Sequence, residues 1–582
     1  MKVLPTFLSV LAVALIICAP NVLADCPYTE YGWTSAIGAE AFDQARGIAV
    51  DDDGAIYIVG SFEQIVDFDP SKRKDKLKAK GRDGHPDIYV TSYSSEGLYR
   101  WTVRIGAFDG DFGFATAVTP SGDLVLTGAF SSKPDFNPTK GKDRHKSNGG
   151  TDVFVTLLRP NGSYRWTRTF GGSSFDTAWA VAADNESNII VAGDFMATVD
   201  FNPGRGVDNR TSNGGEDVFV TKLGPKGSYQ WTRTFGGSLR DTAWGVATDA
   251  DGNVIVTGEY RGTVDFDPTE GVDIHTSNGA DDVFITKLGS DGSYHWTHTF
   301  GGTDINDKGF DVVTDGAGNV YVTGGFVGIV DFDRRGRGDI RVGQGFSDIF
   351  VTKRAPDGGY QWTRTIGGTA IEAAFGIALN DLGSLVIAGN YSGTVDFDFG
   401  EGVDQHTSNG GRDVFVTTMT TDGGYVSTQT FGGSDGNDGA EDVAIDPDGN
   451  IVACGLFASQ NVDFDPTSGV DLHSSNGKFD FFITKHYCGQ CEFIERHTVV
   501  GKRGKIISTV RALAPGGKVT VECTGPGEPV RQSGEINNEN TAKLKFKNLP
   551  KGAYECLITK IKDPDGHPLC QGPLAPRPVT VK

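Results

Sequence analysis

The chain has 582 residues, of which 81 are glycine, and a formal net charge of −22. This length is too great for one ordinary hydrophobic core unless repeated units share a continuous one. The acidic balance disfavours nucleic acid as a partner. Short alternating apolar runs lie between clusters of Gly, Asp and Asn, and no helix-length apolar pattern follows the first residues, so the composition predicts an all-β protein.

The N-terminal segment has the pattern of an export signal. Lys2 is followed by an apolar stretch from Phe7 to Ala19 and then by Val22, Leu23 and Ala24. This pattern predicts a secretory signal peptide over residues 1–24, and therefore a secreted, periplasmic or cell-surface protein. A membrane anchor is the competing interpretation, but the run is short for a span, and the mature chain is expected to hold no transmembrane segment.

A Tyr-x-Trp-Thr segment recurs every 65 to 68 residues. Its tryptophan position is occupied by Trp33, Trp101, Trp166, Trp231, Trp296 and Trp362, with Ser427 in the seventh copy. In the unit 243–300, two short strands around an Asp-Gly turn precede a long loop and two further strands around a second tight turn. Four antiparallel strands per repeat are typical of a propeller blade, and the Trp residues are expected to pack in the core or between blades.

The repeats predict a closed ring of seven blades over residues 25–491. Six blades are expected at 46–105, 113–170, 178–235, 243–300, 309–366 and 374–431. The seventh begins near Asp442 and supplies only three strands, ending at Tyr487. The N-terminal piece around Trp33 is the missing fourth strand, and its insertion would remove an exposed sheet edge.

The cysteines support this closure. Repeat alignment places Cys26 beside Cys488 and Cys491, where an exported protein can form a bridge. The redox alternative for the Cys-Gly-Gln-Cys segment is disfavoured because such motifs usually open a helix. Cys454 is expected to be a buried free thiol. Three more candidates for disulfides lie in the tail, at Cys523, Cys556 and Cys570, and the connectivity is not decidable from sequence.

The repeat resembles the SBBP-type bacterial β-propeller repeat. The resemblance rests on "GVATDADGNVIVTG", "DVFVTKL" and "GSYQWTRTFGG" and covers residues 31–487. It implies an exported or surface-associated protein with a binding or structural role.

An acidic residue follows each Tyr-x-Trp-Thr strand and precedes the innermost strand of the next blade. These residues are Asp43, Asp111, Asp176, Asp241, Asp307, Glu372 and Asp438. A seven-fold ring of carboxylates would hold cations or cationic ligands. The structural alternative is that each residue caps backbone N–H groups of its own loop, as Asp does in turns.

The long loop of each blade carries an Asp-Phe-Asp-Pro segment or a variant of it. Asp265, Asp267 and Asp273 offer oxygen ligands for calcium, the one cofactor that the sequence suggests, although the loop lacks the EF-hand pattern. The intervening Phe266 is expected to pack against the blade. The Asp-Gly turn that begins at Asp249 also resembles a calcium motif, but its place between adjacent strands favours a hairpin turn.

The C-terminal region, residues 492–582, interrupts the repeat and resembles the small Ig-like or prealbumin-like β-sandwich modules of bacterial surface proteins. A bridge between Cys523 and Cys556 would join its two sheets. Residues 496–582 hold 15 Lys and Arg and 7 Asp and Glu, a balance of +8 beside −30 for the rest of the chain. A solvated basic surface is the favoured interpretation, and contact with an acidic polymer is the alternative.

No phosphate loop, zinc-protease helix or nucleophile elbow is present, so no catalytic residue is assigned. The sequence therefore predicts an exported, non-catalytic binding or scaffold protein that presents an acidic, loop-rich face of the propeller. Its expected partner is a protein or polysaccharide of the cell envelope. The alternative is a cation-assisted hydrolase or lyase with its site in the central pocket.

Overall fold

A computed structural model describes residues 29–488 without 83, 304–305, 335, 381–382 and 468, together with eight C-terminal strands; side chains are described within 31–487. The signal peptide, Cys26 and Cys491 therefore lie outside the described residues, as does the side chain of Cys488. Every regular element in the described part is a β-strand. That part contains no helix that could span a membrane.

The propeller is built from 38 strands. In chain order they are β1 (Thr29–Ile37), β2 (Asp43–Val50), β3 (Ile56–Phe62), β4 (Ile65–Asp67), β5 (Lys76–Lys78), β6 (Asp87–Tyr93), β7 (Tyr99–Ile105), β8 (Phe112–Val118), β9 (Leu124–Phe130), β10 (Asp152–Leu158), β11 (Tyr164–Phe170), β12 (Asp176–Ala183), β13 (Ile189–Phe195), β14 (Thr198–Asp200), β15 (Asn209–Thr211), β16 (Asp217–Leu223), β17 (Tyr229–Phe235), β18 (Asp241–Thr248), β19 (Val254–Asp265), β20 (Ile274–Leu288), β21 (Tyr294–Phe300), β22 (Lys308–Thr314), β23 (Val320–Phe326), β24 (Ile329–Asp331), β25 (Ile340–Val342), β26 (Asp348–Arg354), β27 (Tyr360–Ile366), β28 (Ala373–Leu379), β29 (Ser384–Tyr391), β30 (Thr394–Asp396), β31 (Gln405–Thr407), β32 (Asp413–Thr420), β33 (Tyr425–Phe431), β34 (Asp438–Ile445), β35 (Ile451–Phe457), β36 (Val462–Asp463), β37 (Leu472–His473) and β38 (Asp480–Cys488).

Seven four-stranded antiparallel sheets form the blades, which confirms the predicted seven-bladed β-propeller. In order from the axis outward the sheets are β2-β3-β6-β7, β8-β9-β10-β11, β12-β13-β16-β17, β18-β19-β20-β21, β22-β23-β26-β27, β28-β29-β32-β33 and β34-β35-β38-β1. The first strand of each blade contacts the first strand of the next, and β34 contacts β2, so the inner strands close a ring around the axis.

The last blade is closed by the start of the described chain. β1 pairs antiparallel with β38, with Thr34 opposite Thr484 and Ile37 opposite Phe481. The predicted role of the segment around Trp33 as the fourth strand of blade seven is confirmed. Blade boundaries differ slightly from the prediction, because most inner strands begin at or beside the acidic residue, as β34 does at Asp438 rather than near Asp442.

The hydrophobic core is divided among the seams between blades. One cluster, for example, joins Val218 and Trp231 of the third blade to Val256 and Phe284 of the fourth. The closing seam has the same composition, with Ile37 and Phe481 packed against Ile58. Each blade therefore buries its apolar faces against its two neighbours, as stacked repeats do.

The long loop between the second and third strands contains local structure that the sequence did not predict. In blades one, three, five, six and seven it forms a separate two-stranded hairpin, such as β24-β25. In blade four the hairpin merges with β19 and β20, and in blade two a single bridge joins Asp135 and Arg144. We call these elements the outer hairpins.

The C-terminal strands are β39 (Ile494–Lys502), β40 (Lys505–Ala512), β41 (Lys518–Thr524), β42 (Val530–Glu535), β43 (Thr541–Phe546), β44 (Gly552–Lys562), β45 (Pro568–Gln571) and β46 (Arg577–Val581). They pair into one three-stranded and one five-stranded sheet. The register places Cys523 of β41 opposite Cys556 of β44 in the same sheet, and Cys570 opposite Ile561. The prediction that a Cys523–Cys556 bridge joins two sheets is therefore wrong, since both residues lie on one sheet. The side chains of these cysteines lie outside the described part, so whether disulfides form stays a prediction.

Candidate functional site

The Trp positions hold neighbouring blades together. Trp231 Nε1 donates a hydrogen bond to Ser290 O in the next blade at 3.1 Å, and the indole lies against Gly292 in that turn. Gly292 has φ +80°, and a Cβ there would lie 3.0 Å from Trp231. The predicted packing role is confirmed, and we call this contact the tryptophan latch. Equivalent latches join Trp33 to Gly97, Trp101 to Gly162, Trp166 to Gly227, Trp296 to Gly358 and Trp362 to Gly423, although Trp362 Nε1 has no hydrogen-bond partner among the described residues.

The ring acids are fully buried, and the six aspartates among them each hold two loops. Asp241 Oδ2 accepts the N–H of Gly237, in the connection between blades, at 2.7 Å, and its Oδ1 accepts the N–H of Arg261, where the outer hairpin starts, at 3.0 Å. The blade connections and the outer hairpins therefore meet at one edge of the sheets, which we call the loop face. The same pattern recurs at Asp43, Asp111, Asp176, Asp307 and Asp438, and Glu372 accepts the N–H of Gly368.

Burial raises the pKa of these carboxyls against the opposing effect of the N–H donors. The pKa is raised to about 7 in Asp241 and to about 8 in Asp111. These hydrogen bonds match the structural alternative, in which each acid caps backbone N–H groups of its own loop. Binding of cations by this ring stays a prediction.

A second set of buried acids, which the sequence analysis missed, begins the third strand of six blades and lies within the longer β20 of blade four. Asp217 accepts the N–H of Asn213 at 3.0 Å, and its second oxygen has no partner among the described residues. A Cβ at Gly236 would lie 2.4 Å from Asp217 Cγ, which explains the first glycine of the "FGG" motif. The negative charge of Asp217 also raises the pKa of the ring acid Asp241. The available signal is the aspartate that recurs at the start of the "DVF" segments.

The three calcium candidates are engaged with their own loop and strand. Asp265 Oδ1 accepts the N–H of Asp273 at 2.8 Å, Asp267 Oδ1 accepts the N–H of Thr269 at 2.9 Å, and Asp273 accepts the phenol of Tyr294. Phe266 is fully buried, so its predicted packing is confirmed. Across the described residues, no group of three or more His, Cys, Asp or Glu side chains is placed to hold a metal ion. Calcium binding in these loops stays a prediction.

The turn acids and the thiol behave as expected. Asp249 Oδ1 accepts the N–H groups of Asp251 and Asn253, and its Oδ2 pairs with Lys287 at 2.8 Å, so this segment is a hairpin turn. The ammonium of Lys287 is thus held inside the seam. Cys454 is buried and free.

A cavity of about 440 Å³ lies on the propeller axis. Its wall is formed by the third residue after each ring acid and by the residues that follow it. The third residues are Arg46, Phe114, Trp179, Trp244, Phe310, Phe375 and Glu441. Five consecutive blades thus contribute aromatic rings, and the two blades at the closing seam contribute an ion pair between Arg46 Nη1 and Glu441 Oε2 at 2.5 Å. We call this space the axial cavity.

Two further carboxyls face the axial cavity, from the fourth residue after the ring acid. Asp311 Oδ2 accepts the N–H of Ile377 at 3.0 Å, and Asp442 Oδ2 accepts the N–H of Ile48 at 2.9 Å. Each carboxyl therefore bridges to the inner strand of the next blade. Burial raises the pKa of both groups, and the charge of Asp311 raises that of Asp442 further.

The sequence analysis predicted a central pocket but assigned only the ring acids to it. It did not identify the residues that line the axial cavity. The available signal was the residue three places after the ring acid, as in "DTAW", which is aromatic in five copies and charged in two. Its meaning depends on seven positions that are each more than 60 residues apart and converge only when the ring closes.

No protein-family model matches the chain. An uncharacterized WD repeat-containing protein of Acanthamoeba polyphaga mimivirus is 23% identical over 507 residues, which cover 74% of this chain and 36% of that protein. Regulatory protein FlaEY of Caulobacter vibrioides is 24% identical over 562 residues, which cover 86% of this chain and 55% of that protein. The chain thus spans about half or less of the length of these curated relatives.

Among solved structures, Sqt1 from Chaetomium thermophilum aligns with a TM-score of 0.36 and 10% identity, over 79% of this chain and 99% of that one. The chain is a β-propeller repeat protein by its own strand pairing, and the WD repeat-containing relative agrees with that architecture.

Proposed function

We propose that the protein is an exported, non-catalytic binding or scaffold protein whose loop face takes a protein or polysaccharide of the cell envelope. Export is inferred from the pattern of residues 1–24. A binding role is supported by the propeller fold and by the regulatory and WD repeat-containing relatives. The seven ring acids also support a scaffold, since each is engaged with its own loop rather than with a shared pocket.

The observation that carries this proposal is the apolar surface of the outer hairpins. Ile329 and Val342 lie opposite each other in the hairpin of blade five, and each is 63% exposed. Ile340, two residues before Val342 on the same strand, and Phe346, which follows the hairpin, are also exposed. Contiguous exposed apolar side chains on a soluble surface mark interaction sites more often than scattered ones do.

The loop-face proposal is tested by capture of partners from a cell-envelope extract with the full chain. Ile329→Ser combined with Val342→Ser and Phe346→Ser is expected to abolish capture, because it removes the apolar contact without touching the core. Leu98→Ser is the matched control, since Leu98 is equally exposed but lies in a turn between the third and fourth strands, away from the outer hairpins. Unchanged capture by the triple variant would contradict the proposal.

Export is tested separately by mass spectrometry of the protein recovered outside the cytoplasm. We expect a mature N-terminus at Asp25. A chain that retains Met1 and stays in the cytoplasm would contradict export and leave the loop-face experiment unaffected.

The second candidate function is a cation-assisted hydrolase or lyase acting in the central pocket. Asp311 and Asp442 favour it, because two carboxyls with raised pKa share one cavity, as acid–base pairs do. Turnover of envelope polysaccharides that is lost in both Asp311→Asn and Asp442→Asn would support this candidate. Absence of turnover by the wild-type chain across such polysaccharides would favour the binding role.

A further inference from the structure

The axial cavity has an aromatic arc on one side. The ring centroids are 4.4 Å apart for Phe114 and Trp179, 4.7 Å for Trp179 and Trp244, 6.2 Å for Trp244 and Phe310, and 4.9 Å for Phe310 and Phe375. The rings are therefore in contact over five blades and present π-electron density to one space. Aromatic faces attract cations, and they do so more strongly where water is excluded.

The ionisable groups of the cavity wall are three carboxyl groups and one guanidinium group. The guanidinium of Arg46 is paired with Glu441. Asp311 and Asp442 receive their hydrogen bonds from backbone N–H groups, and neither forms an ion pair with any residue that the structure describes. The wall thus offers two carboxyl groups without a cationic partner beside an aromatic surface.

Lys308, a cation beside the aromatic arc, is already paired with a carboxylate. Lys308 Nζ lies 5.7 Å from the ring centroid of Trp244 and 2.7 Å from Glu259 Oε2. Its position shows that the ring of Trp244 accommodates an ammonium group on one face. Because Glu259 holds this ammonium, it does not compensate the carboxyls of Asp311 and Asp442.

One indole donor of the arc has no acceptor. Trp179 Nε1 donates to Asp194 Oδ2 at 2.6 Å, whereas the buried Nε1 of Trp244 has no partner among the described residues. That Nε1 atom is enclosed by protein and does not face the cavity, so the arc presents its rings rather than an N–H donor to a ligand.

We propose that the axial cavity binds a small organic cation of the alkylated ammonium class. The charge lies against the aromatic arc on the side of Asp311 and Asp442. The cavity volume is in the range of small-molecule sites. A bare metal ion fits poorly, since its preferred shell of oxygen ligands is replaced here by aromatic carbon.

This inference is independent of the loop-face proposal, because no residue of the outer hairpins lines the cavity. It is tested on the full chain by calorimetry and tryptophan fluorescence with choline and glycine betaine. The matched control ligand is 3,3-dimethylbutan-1-ol, which has the shape of choline without the charge. We expect the neutral isostere to bind at least about tenfold more weakly than choline.

Two variants locate the site. Trp244→Leu is expected to weaken choline binding by about tenfold or more, whereas Trp166→Leu, a latch residue outside the cavity, leaves the affinity unchanged. Asp442→Asn keeps the side-chain shape and is expected to weaken binding several-fold even if Trp244→Leu does not fold. Affinity should also rise from neutral to alkaline pH, because burial raises the pKa of the Asp311 and Asp442 carboxyls and only their ionised forms carry negative charge.

The inference is overturned if the neutral isostere binds as tightly as choline, or if Asp442→Asn and Trp244→Leu both retain full affinity. It is equally overturned if neither choline nor betaine binds at millimolar concentration, or if a neutral hexose binds the cavity instead. Partner capture by the loop face would be unaffected in each of these outcomes.

Discussion

The outer wall and the axial wall of the same blades follow different rules. At the outer wall the tryptophan latch is repeated in six of the seven copies with the same glycine partner. At the axial wall the residue three places after the ring acid is aromatic in five blades and charged in two. Every seam joins the same faces of two neighbouring blades and is therefore packed in the same way. The axial wall surrounds one shared space, so its residues can differ from blade to blade.

The largest expected effect comes from removing one ring from each wall. Trp231→Ala is expected to lower the free energy of unfolding by about 3–5 kcal/mol, because it empties a buried seam and removes the hydrogen bond to Ser290. Trp244→Ala is expected to cost about 1–2 kcal/mol, since that ring is half-buried against an open cavity. Urea denaturation measures both values, and equal losses would remove the distinction between the walls.

The latch can also be strained from its glycine side. Gly292 and Gly122 have φ of +80° and +78°, but a Cβ meets Trp231 at the first and nothing within 4 Å at the second. We expect Gly122→Ala to cost about 1 kcal/mol from backbone conformation and Gly292→Ala to cost about 1 kcal/mol more from the contact. Identical losses in denaturation experiments would show that the indole adjusts freely.

A smaller effect is expected from pH, through the ring acids. The folded pKa of Asp241 is raised to about 7 and that of Asp111 to about 8, above the unfolded value, so the folded state holds these protons more tightly. Their contribution to stability is present near pH 4 and is lost as the pH rises through about 7–8. We expect Tm at pH 5.5 to exceed Tm at pH 8 by about 2–4 °C.

At lower pH the ion pairs are lost, which limits the stability gained from the protonated ring acids. The pKa of Asp249 is lowered mainly by the hydrogen bond from Lys287 and by Asn253, against burial, so its contribution is lost as the pH falls below about 4. Calorimetric melting across pH 3–9 should show a maximum near pH 5. A Tm that rises steadily from pH 5 to pH 8 would contradict the raised pKa values.

The smallest effect is expected at the seventh Trp position. Ser427 lies on β33 of blade six and faces the seam with blade seven, where the residues that follow β38 are outside the described part. The position is partly exposed, so Ser427→Trp is expected to change the free energy of unfolding by less than about 0.5 kcal/mol. A clear gain in stability would show that a latch forms there after all.

The repeat pattern was sufficient for the fold. The spacing of the Trp positions indicated seven blades, because strand order within a blade follows the order of the chain. The extra copy at Trp33 indicated that the N-terminal strand completes the last blade. The outer hairpins were missed because β24 and β25 have three residues each and lie among Gly, Asp and Arg, which are typical of loops.

The candidate site was only partly predictable. The sequence located the ring acids between loop and inner strand, and it also suggested the loop-cap alternative that matches the observed hydrogen bonds. It did not identify Asp311 and Asp442, because the other copies have Gly or Ala at this position and a single sequence gives no reason to compare the exceptions. Convergence of Trp179, Trp244 and Phe310 on one space requires the curvature of the ring, which no local pattern contains.

The pairing of β1 with β38 has a consequence for how the chain reaches its native state. Thr34 and Thr484 are 450 positions apart and yet hydrogen-bonded. Contacts between residues so far apart in sequence form late, because closing the long loop costs chain entropy before the contact contributes any stability. Six blades can assemble in the order of synthesis while β1 waits unpaired, and its edge is open to other chains during that interval. The final step of folding is therefore the one most exposed to competition from aggregation.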